Sequence, residues 1–500
     1  MALLTEGVAL LTEGGQVPSR FHKHGIPAEV TEVVSTESRP YKISGASMNK
    51  LARVLGFRDL TLLTIGGVIG SGIFLVPGEV LRQAGGQIGP AMLVWLAGGL
   101  LSLLGALTYG ELSAANPKAG GIYAHLRDCF GPLPAFLFGW TLFFALNGGT
   151  VATLAVAFST TLSRIVPMSG AMTKVVAVAM IAVLTVVNVK GTRESADLQN
   201  WTTGIKVGAI LLMAVALFAF GHGFSTSSAA IWPSAFSGSL ASGFGLAMIG
   251  VLWAYEGWQY VTFSAGEVID PQRNYPRALF AGTAVLIAIY LIANLAYLAA
   301  LGPAGVAGST SVAAESLTAV VNPTAAKLIA LTILVSVFSA ANANVLTCPR
   351  VYYAMANDGL FFRKLAEVHP RFGTPAFAIV AGSLWAAVLA LAGSFTELFT
   401  YVVFCGWIFY GLCAATIFVY RKRLADARRP YKVPGYPWTP LLFIVAAFVL
   451  VANTLFNNLR DQPGKTALAL GSIALGLPAY FIWHSRSAKR SEPSISRKAD

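Results

Sequence analysis

The sequence predicts an all-α membrane protein of twelve transmembrane helices, and three observations carry that expectation. Of its 500 residues, 55% are hydrophobic and only 11% charged, with a mean hydropathy of +0.66; a soluble domain carries about 25% charged residues. Apolar runs at or near the ~20 residues needed to cross a bilayer recur at 91–107, 175–187, 210–220, 279–301 and 440–455. Two of the hydrophobic segments also carry their own breaking points.

The spans are expected at roughly 59–85, 88–115, 132–165, 171–189, 196–221, 243–268, 277–301, 322–357, 375–392, 396–420, 438–458 and 464–484. The first contains IGGVIGSGIF, residues 65–74, although each glycine in a helix interior costs roughly 1 kcal/mol relative to alanine. A break at Gly70-Ser71-Gly72 would leave free N–H groups on Ser71, Gly72 and Ile73, which favour an anion. The free carbonyls ending the first half, near Val68 and Ile69, suit a cation. Such a break therefore matches a zwitterion, with glycine allowing close approach and positive φ.

The sixth span, GVLWAYEGWQYVTFSAGEV over 250–268, is interrupted at Glu256 and Gly257. A carboxylate near the bilayer midplane is costly unless it faces a cavity or a partner. Two interrupted helices, each first in one half of a 5 + 5 arrangement, point to the inverted repeats of secondary transporters. The repeats would cover about 59–221 and 243–420, followed by two extra helices at about 438–484 within a core of 51–486.

The net charge of +13 orients the chain. Basic residues fall in alternate loops: Lys118 and Arg127; Lys190 and Arg193; Arg273 and Arg277; Arg363, Lys364 and Arg371; and the cluster from Arg421 to Lys432. The opposite loops at 222–242, 302–321 and 393–395 have none. By the positive-inside rule the basic loops and both termini lie in the cytoplasm, and no nucleic-acid role is needed to explain the charge. Residues 1–50 are polar and aperiodic, with ALLTEG occurring twice, and read with 487–500 as disordered cytoplasmic tails. The four cysteines and six histidines show no metal-ligand spacing, and no Walker motif is present. No cofactor is expected, and the chain does not read as an enzyme.

Four segments, GGVIGSGIF (66–74), TYGELSAANPKAGGIYAHLRDCFGP (108–132), WAYEGWQYVTFSAGEVIDPQRNYPRAL (253–279) and PRVYYAMANDGLFFRKLAEVHPRFGTP (349–375), carry a resemblance in order and spacing. The chain resembles the amino acid–polyamine–organocation superfamily, in particular its L-type amino acid transporter branch in bacterial form. The resemblance implies a LeuT-type 5 + 5 inverted repeat with helices 1 and 6 broken, and transport of L-amino acids by alternating access. It implies that the substrate carboxylate meets the backbone N–H groups of Ser71, Gly72 and Ile73, and that the amino group meets carbonyls at Val68, Trp253 and Glu256, with Ile69, Gly70 and Ala254 as further candidate site residues at the breaks. Trp253 would close over the substrate. Lys206, inside the fifth span, would take the place of a structural sodium, bridging Gly66 to Ser339, which makes sodium coupling unnecessary and leaves exchange or proton coupling open.

Matching by spacing places Ala145, Leu146, Thr150, Asn344, Phe404 and Trp407 in the pocket walls. Asn147 and Asn342 read as alternatives that hydrogen-bond between helices. Animal relatives join a glycoprotein heavy chain through a cysteine between spans 3 and 4; here the loop SRIVPMSGAMT (163–173) has none. A self-sufficient monomer in the inner cell membrane is expected. The leading reading is a carrier of neutral amino acids. Glu256 motivates the alternative of a cationic amino acid or polyamine carrier, and a transport-dead sensor using the same site is a further alternative. Glu256 itself is expected to project away from the substrate, toward the cytoplasmic half.

Overall fold

A computed structural model describes residues 51–491 except 225–230, 236–237, 323–324, 393–394, 424–428 and 462. The expected tail at 1–50 and residues 492–500 lie outside the described residues; residues 487–491, expected as the start of a disordered tail, instead continue the last helix. Among the described residues the backbone is helical, and the one β pairing is a bridge between Leu55 and Val268.

The elements run as follows. The first broken segment gives α1 (Phe57–Val68), α2 (Gly72–Leu75) and α3 (Pro77–Gln83). Next come α4 (Ile88–Ala115), the short connecting helix α5 (Ile122–Phe130), α6 (Pro132–Thr141), a π turn (Leu142–Asn147) and α7 (Gly148–Ser163). Helices α8 (Gly170–Lys190) and α9 (Thr192–Phe220) follow. The second broken segment is α10 (Gly238–Ala254) and a 3₁₀ stretch, Tyr260–Glu267. Then come α11 (Pro271–Gly308), α12 (Val312–Val320), α13 (Ala325–Thr347), α14 (Pro349–Asn357), α15 (Ala376–Ala392), α16 (Phe395–Arg423), α17 (Trp438–Asp461), α18 (Pro463–Ala474) and α19 (Gly476–Ser491).

Among the described residues seven helices are long and apolar enough to cross a membrane, and α15 and 240–254 form shorter apolar helices. The expected pattern is twelve spans with the first and sixth broken, and interrupted segments do not register as single long helices. The physical reason is plainest at the two broken segments, where no single helix runs the full length. The last expected span is likewise divided between α18 and α19. Three further departures have local causes. A π turn interrupts the third span. Span 8 divides at Pro349, which can start a helix but cannot continue one. Helix α11 runs on through a kink at Gly302, where φ is +67°.

The sidedness of α9 shows why the bundle belongs in lipid. Its outward face carries Ile205, Leu212 and Val215, all exposed, while Gln199, Thr203 and Lys206 point inward and are buried. Apolar residues outside and polar ones inside reverse the pattern of a soluble helix and suit a hydrocarbon surround. Helix α11 lies along α4 and against α1, and α13 packs on α7, α9 and α1. The first broken segment is thereby enclosed on several sides.

Candidate substrate site at the two helix breaks

Helix α1 ends at Val68. Ile69 is extended (φ −69°, ψ 94°), and the helix resumes at Gly72 with Ser71 as its N-cap. Past the break, the first N–H to reach a backbone acceptor is that of Phe74, on the Ser71 carbonyl at 3.2 Å. The N–H groups of Ser71, Gly72 and Ile73 meet no backbone carbonyl among the described residues, as expected at a helix start.

The glycines serve close approach more than unusual dihedrals. A Cβ on Gly72 would lie 2.9 Å from both Cα and Cβ of Ala254, the last residue of α10. Gly70 and Gly72 do not adopt positive φ, contrary to expectation; Gly257 does, at +120°, where a Cβ would stand 2.9 Å from the Gly67 carbonyl oxygen. Positive φ therefore belongs to the second break, and tight packing to the first. The two breaks lie side by side, and the Tyr290 hydroxyl spans them, donating to Ala254 O at 2.8 Å and reaching Val68 O at 3.4 Å.

Between them is a cavity of about 30 Å³, roughly room for two waters. Its lining includes Val68, Gly70, Ser71, Gly72, Thr150, Trp253, Ala254, Glu256 and Asn344, all named from sequence, together with Gly67, Leu154, Tyr260 and Ala340, which were not. The latter three are missed because an apolar or aromatic residue on a membrane helix gives no periodic signal that separates a cavity wall from a helix contact. Thr150 Oγ1 is buried there with no partner among the described residues. Asn344 donates back to Ala340 O at 2.9 Å.

Several expected residues stand elsewhere. Ile69 offers no free carbonyl: its oxygen accepts from Lys206 Nζ at 2.6 Å and Ser336 Oγ at 3.0 Å. Ile73 is buried behind the break. Ala145 and Leu146 belong to the π turn and do not line the cavity, and Trp407 packs on Phe443 and Tyr410. Phe404 lies on α16, with its side chain outside the described residues. Asn147 donates to Tyr352 Oη, and Asn342 joins Asn188, Ser195 and Gln199, so both bond between helices.

Lys206 is fully buried, and its ammonium donates to Gly66 O and Ile69 O at 2.6 Å each. The expected bridge to Ser339 is absent. Lys206 instead reaches Ser336 O at 3.5 Å, while Ser339 Oγ is taken by Gln199 and Thr202. The change is one helical turn along α13, and it lets Ser336 also hold Gly70 O at 2.8 Å.

Glu256 lines the cavity, and its carboxylate is held by groups from the second break and from α16. Oε1 accepts from Gln259 Nε2 and Tyr410 Oη at 2.6 Å each and from Tyr260 Oη at 3.1 Å. Tyr410 escaped the sequence reading because it lies far along the chain, on α16.

Paired helix breaks around a small internal cavity, in a multi-span bundle with an apolar exterior, define a membrane transporter of the broken-helix kind. The chain belongs to the amino acid permease family, whose model matches residues 55–475. It is 31% identical to the serine/threonine exchanger SteT of Bacillus subtilis (strain 168) over 446 residues, which cover 88% of this chain and 99% of that one. It is 29% identical to the b(0,+)-type amino acid transporter 1 of Mus musculus, covering 87% and 88% of the two chains. The large neutral amino acids transporter small subunit 2 of Oryctolagus cuniculus is also 29% identical, over 92% and 86%. The protein is an amino acid transporter and not an enzyme.

Proposed function

We propose that this protein carries neutral L-amino acids across the inner cell membrane by alternating access, without sodium. The observation that carries this reading is the cavity between the breaks. One wall offers the unpaired N–H groups following Ser71, suited to a carboxylate. Carbonyls at the facing half-helix ends suit an ammonium. The remaining wall is apolar apart from Thr150, Asn344, Tyr260 and the clasped Glu256. Thr150, with its unpartnered hydroxyl, favours small or hydroxylated side chains such as alanine, serine and threonine.

Lys206 supports sodium independence, since an ammonium bonded to the carbonyls of Gly66 and Ile69 stands where a cation would otherwise neutralise them. The basic loops are placed in the cytoplasm with both termini, and the fold is read as twelve spans in two inverted repeats of five plus two. The cysteine-free loop at 163–173 favours a carrier without a disulfide-linked heavy chain, working as a monomer.

Competition of labelled-alanine uptake in proteoliposomes by unlabelled amino acids tests the specificity. Serine, threonine and aliphatic residues are expected to compete well, and arginine and lysine poorly. A cationic side chain in this cavity would need its own carboxylate. Strong competition by arginine that disappears in Glu256→Gln would hand the site to the cationic reading.

A further inference from the structure

Glu256 is the one carboxylate in the cavity wall, and its environment differs from that of the other buried and half-buried acidic groups described. Glu111, Glu267, Asp59 and Asp128 each pair with an arginine. Glu256 has no cationic partner among the described residues. Three neutral donors converge on Oε1, from Gln259 and Tyr260 beside the second break and from Tyr410 on α16. Oε2 receives none among the described residues.

The groups facing it from the surrounding elements are also neutral. Tyr109 on α4 donates to Tyr410 O at 3.0 Å, and Tyr109, Tyr260, Tyr410 and Cys348 are the titratable groups that sense its charge. Lys206, the buried cation of the same region, is committed to carbonyls at the first break and does not line the cavity.

An uncompensated carboxylate inside a membrane protein is stabilised by neutralisation, and with a neutral amino acid in the cavity a proton supplies it. Three donors on one oxygen hold the charged form when the site is open to water. The free oxygen is where a proton adds.

Resting on the reading that this cavity takes an amino acid, we propose that Glu256 is the site of a co-transported proton, making the carrier an amino acid–proton symporter. One proton from the outer medium joins Oε2 as the zwitterion enters. The same proton leaves to the inner medium once the cavity opens there. No bond in the amino acid is made or broken, and each cycle moves one positive charge with one amino acid. Tyr410, which touches the carboxylate, is a positioning residue that sets how readily the proton is held.

The test uses the purified full chain in proteoliposomes that contain a pH-sensitive dye, with alanine as the probe. Alanine is expected to acidify the lumen, and an inside-alkaline gradient is expected to raise accumulation several-fold. Glu256→Gln should lose that enhancement. Tyr410→Phe should move the midpoint of the pH dependence upward, because the carboxylate loses a donor that favours its ionised form. This second variant keeps the test decisive if Glu256→Gln is inactive. Wild-type alanine exchange with no acidification and no gradient response would overturn the proposal while leaving the transport reading intact. A gradient response that survives in Glu256→Gln, or an unshifted profile in Tyr410→Phe, would overturn it as well. If no alanine moves in either assay, the transport reading fails and this inference with it.

Discussion

Gly70 and Gly72 are two residues apart, yet the packing around them separates their roles. A Cβ at Gly72 would collide with Ala254 across the breaks, whereas one at Gly70 would meet nothing nearer than Leu154 Cδ2 at 3.7 Å. Overpacking costs typically 1–3 kcal/mol, which at Gly72 would push the half-helices apart. Gly72→Ala is therefore expected to cut alanine uptake by about tenfold or more, and Gly72→Val to abolish it. Gly70→Ala should keep most activity, all three being measured at equal amounts of inserted protein. Lys206→Ala strands the buried Gly66 carbonyl, at roughly 1–3 kcal/mol, and leaves Ile69 O with Ser336 Oγ as its remaining donor. We expect it to slow transport more than it weakens equilibrium binding, which parallel flux and binding measurements would resolve. The glycines and Lys206 were legible in the sequence because each is locally anomalous: a helix breaker, or a charge, inside an apolar run. Ser336, Tyr290 and Tyr410 were not, since a serine or tyrosine in a membrane helix is ordinary until its partner across the bundle is known.

At the scale of elements, the far end of the second break is anchored by a buried pair. Arg350 on α14 donates to both oxygens of Glu267, at 2.6 and 2.9 Å, and to Thr192 at the start of α9. Thr192 in turn donates to Glu267 at 2.6 Å. Removing one partner of such a pair costs about 3–5 kcal/mol. Arg350→Ala is expected to lower thermal stability sharply, and Arg350→Met with Glu267→Gln to recover part of the loss, as read by thermal unfolding in detergent.

The connecting helix α5 adds a pH dependence. Burial lowers the His125 imidazole to about 4, with Asp128 opposing and Lys118 adding to the shift. Unfolded histidine titrates near 6.5. The unfolded chain thus binds the proton first, so this contribution to stability is complete above about pH 6.5 and is lost as pH falls toward 4. Unfolding temperature should drop across that window, and less steeply in His125→Gln. Element boundaries were well legible where the helix is uninterrupted, as at 88–115, which α4 matches. They were poorly legible at the π turn and in α12, whose residues are as apolar as their neighbours and whose geometry is set by packing.

For the whole molecule, the alternation of basic loops, the apolar exterior and the paired breaks form one argument. A bundle that presents its apolar faces outward and holds its polar groups around two interrupted helices can satisfy unwound backbone only by enclosing it. The cavity in this conformation is too small for an amino acid, so transport requires the half-helices to part and close again. The central claim is that this closure occurs on a neutral amino acid and needs no sodium. The most direct measurement is uptake of labelled alanine by proteoliposomes loaded with unlabelled alanine, in sodium and in choline medium. Equal uptake in the two media, absent in Gly72→Val, is the expected result; uptake that collapses in choline, or persists undiminished in Gly72→Val, would contradict the account.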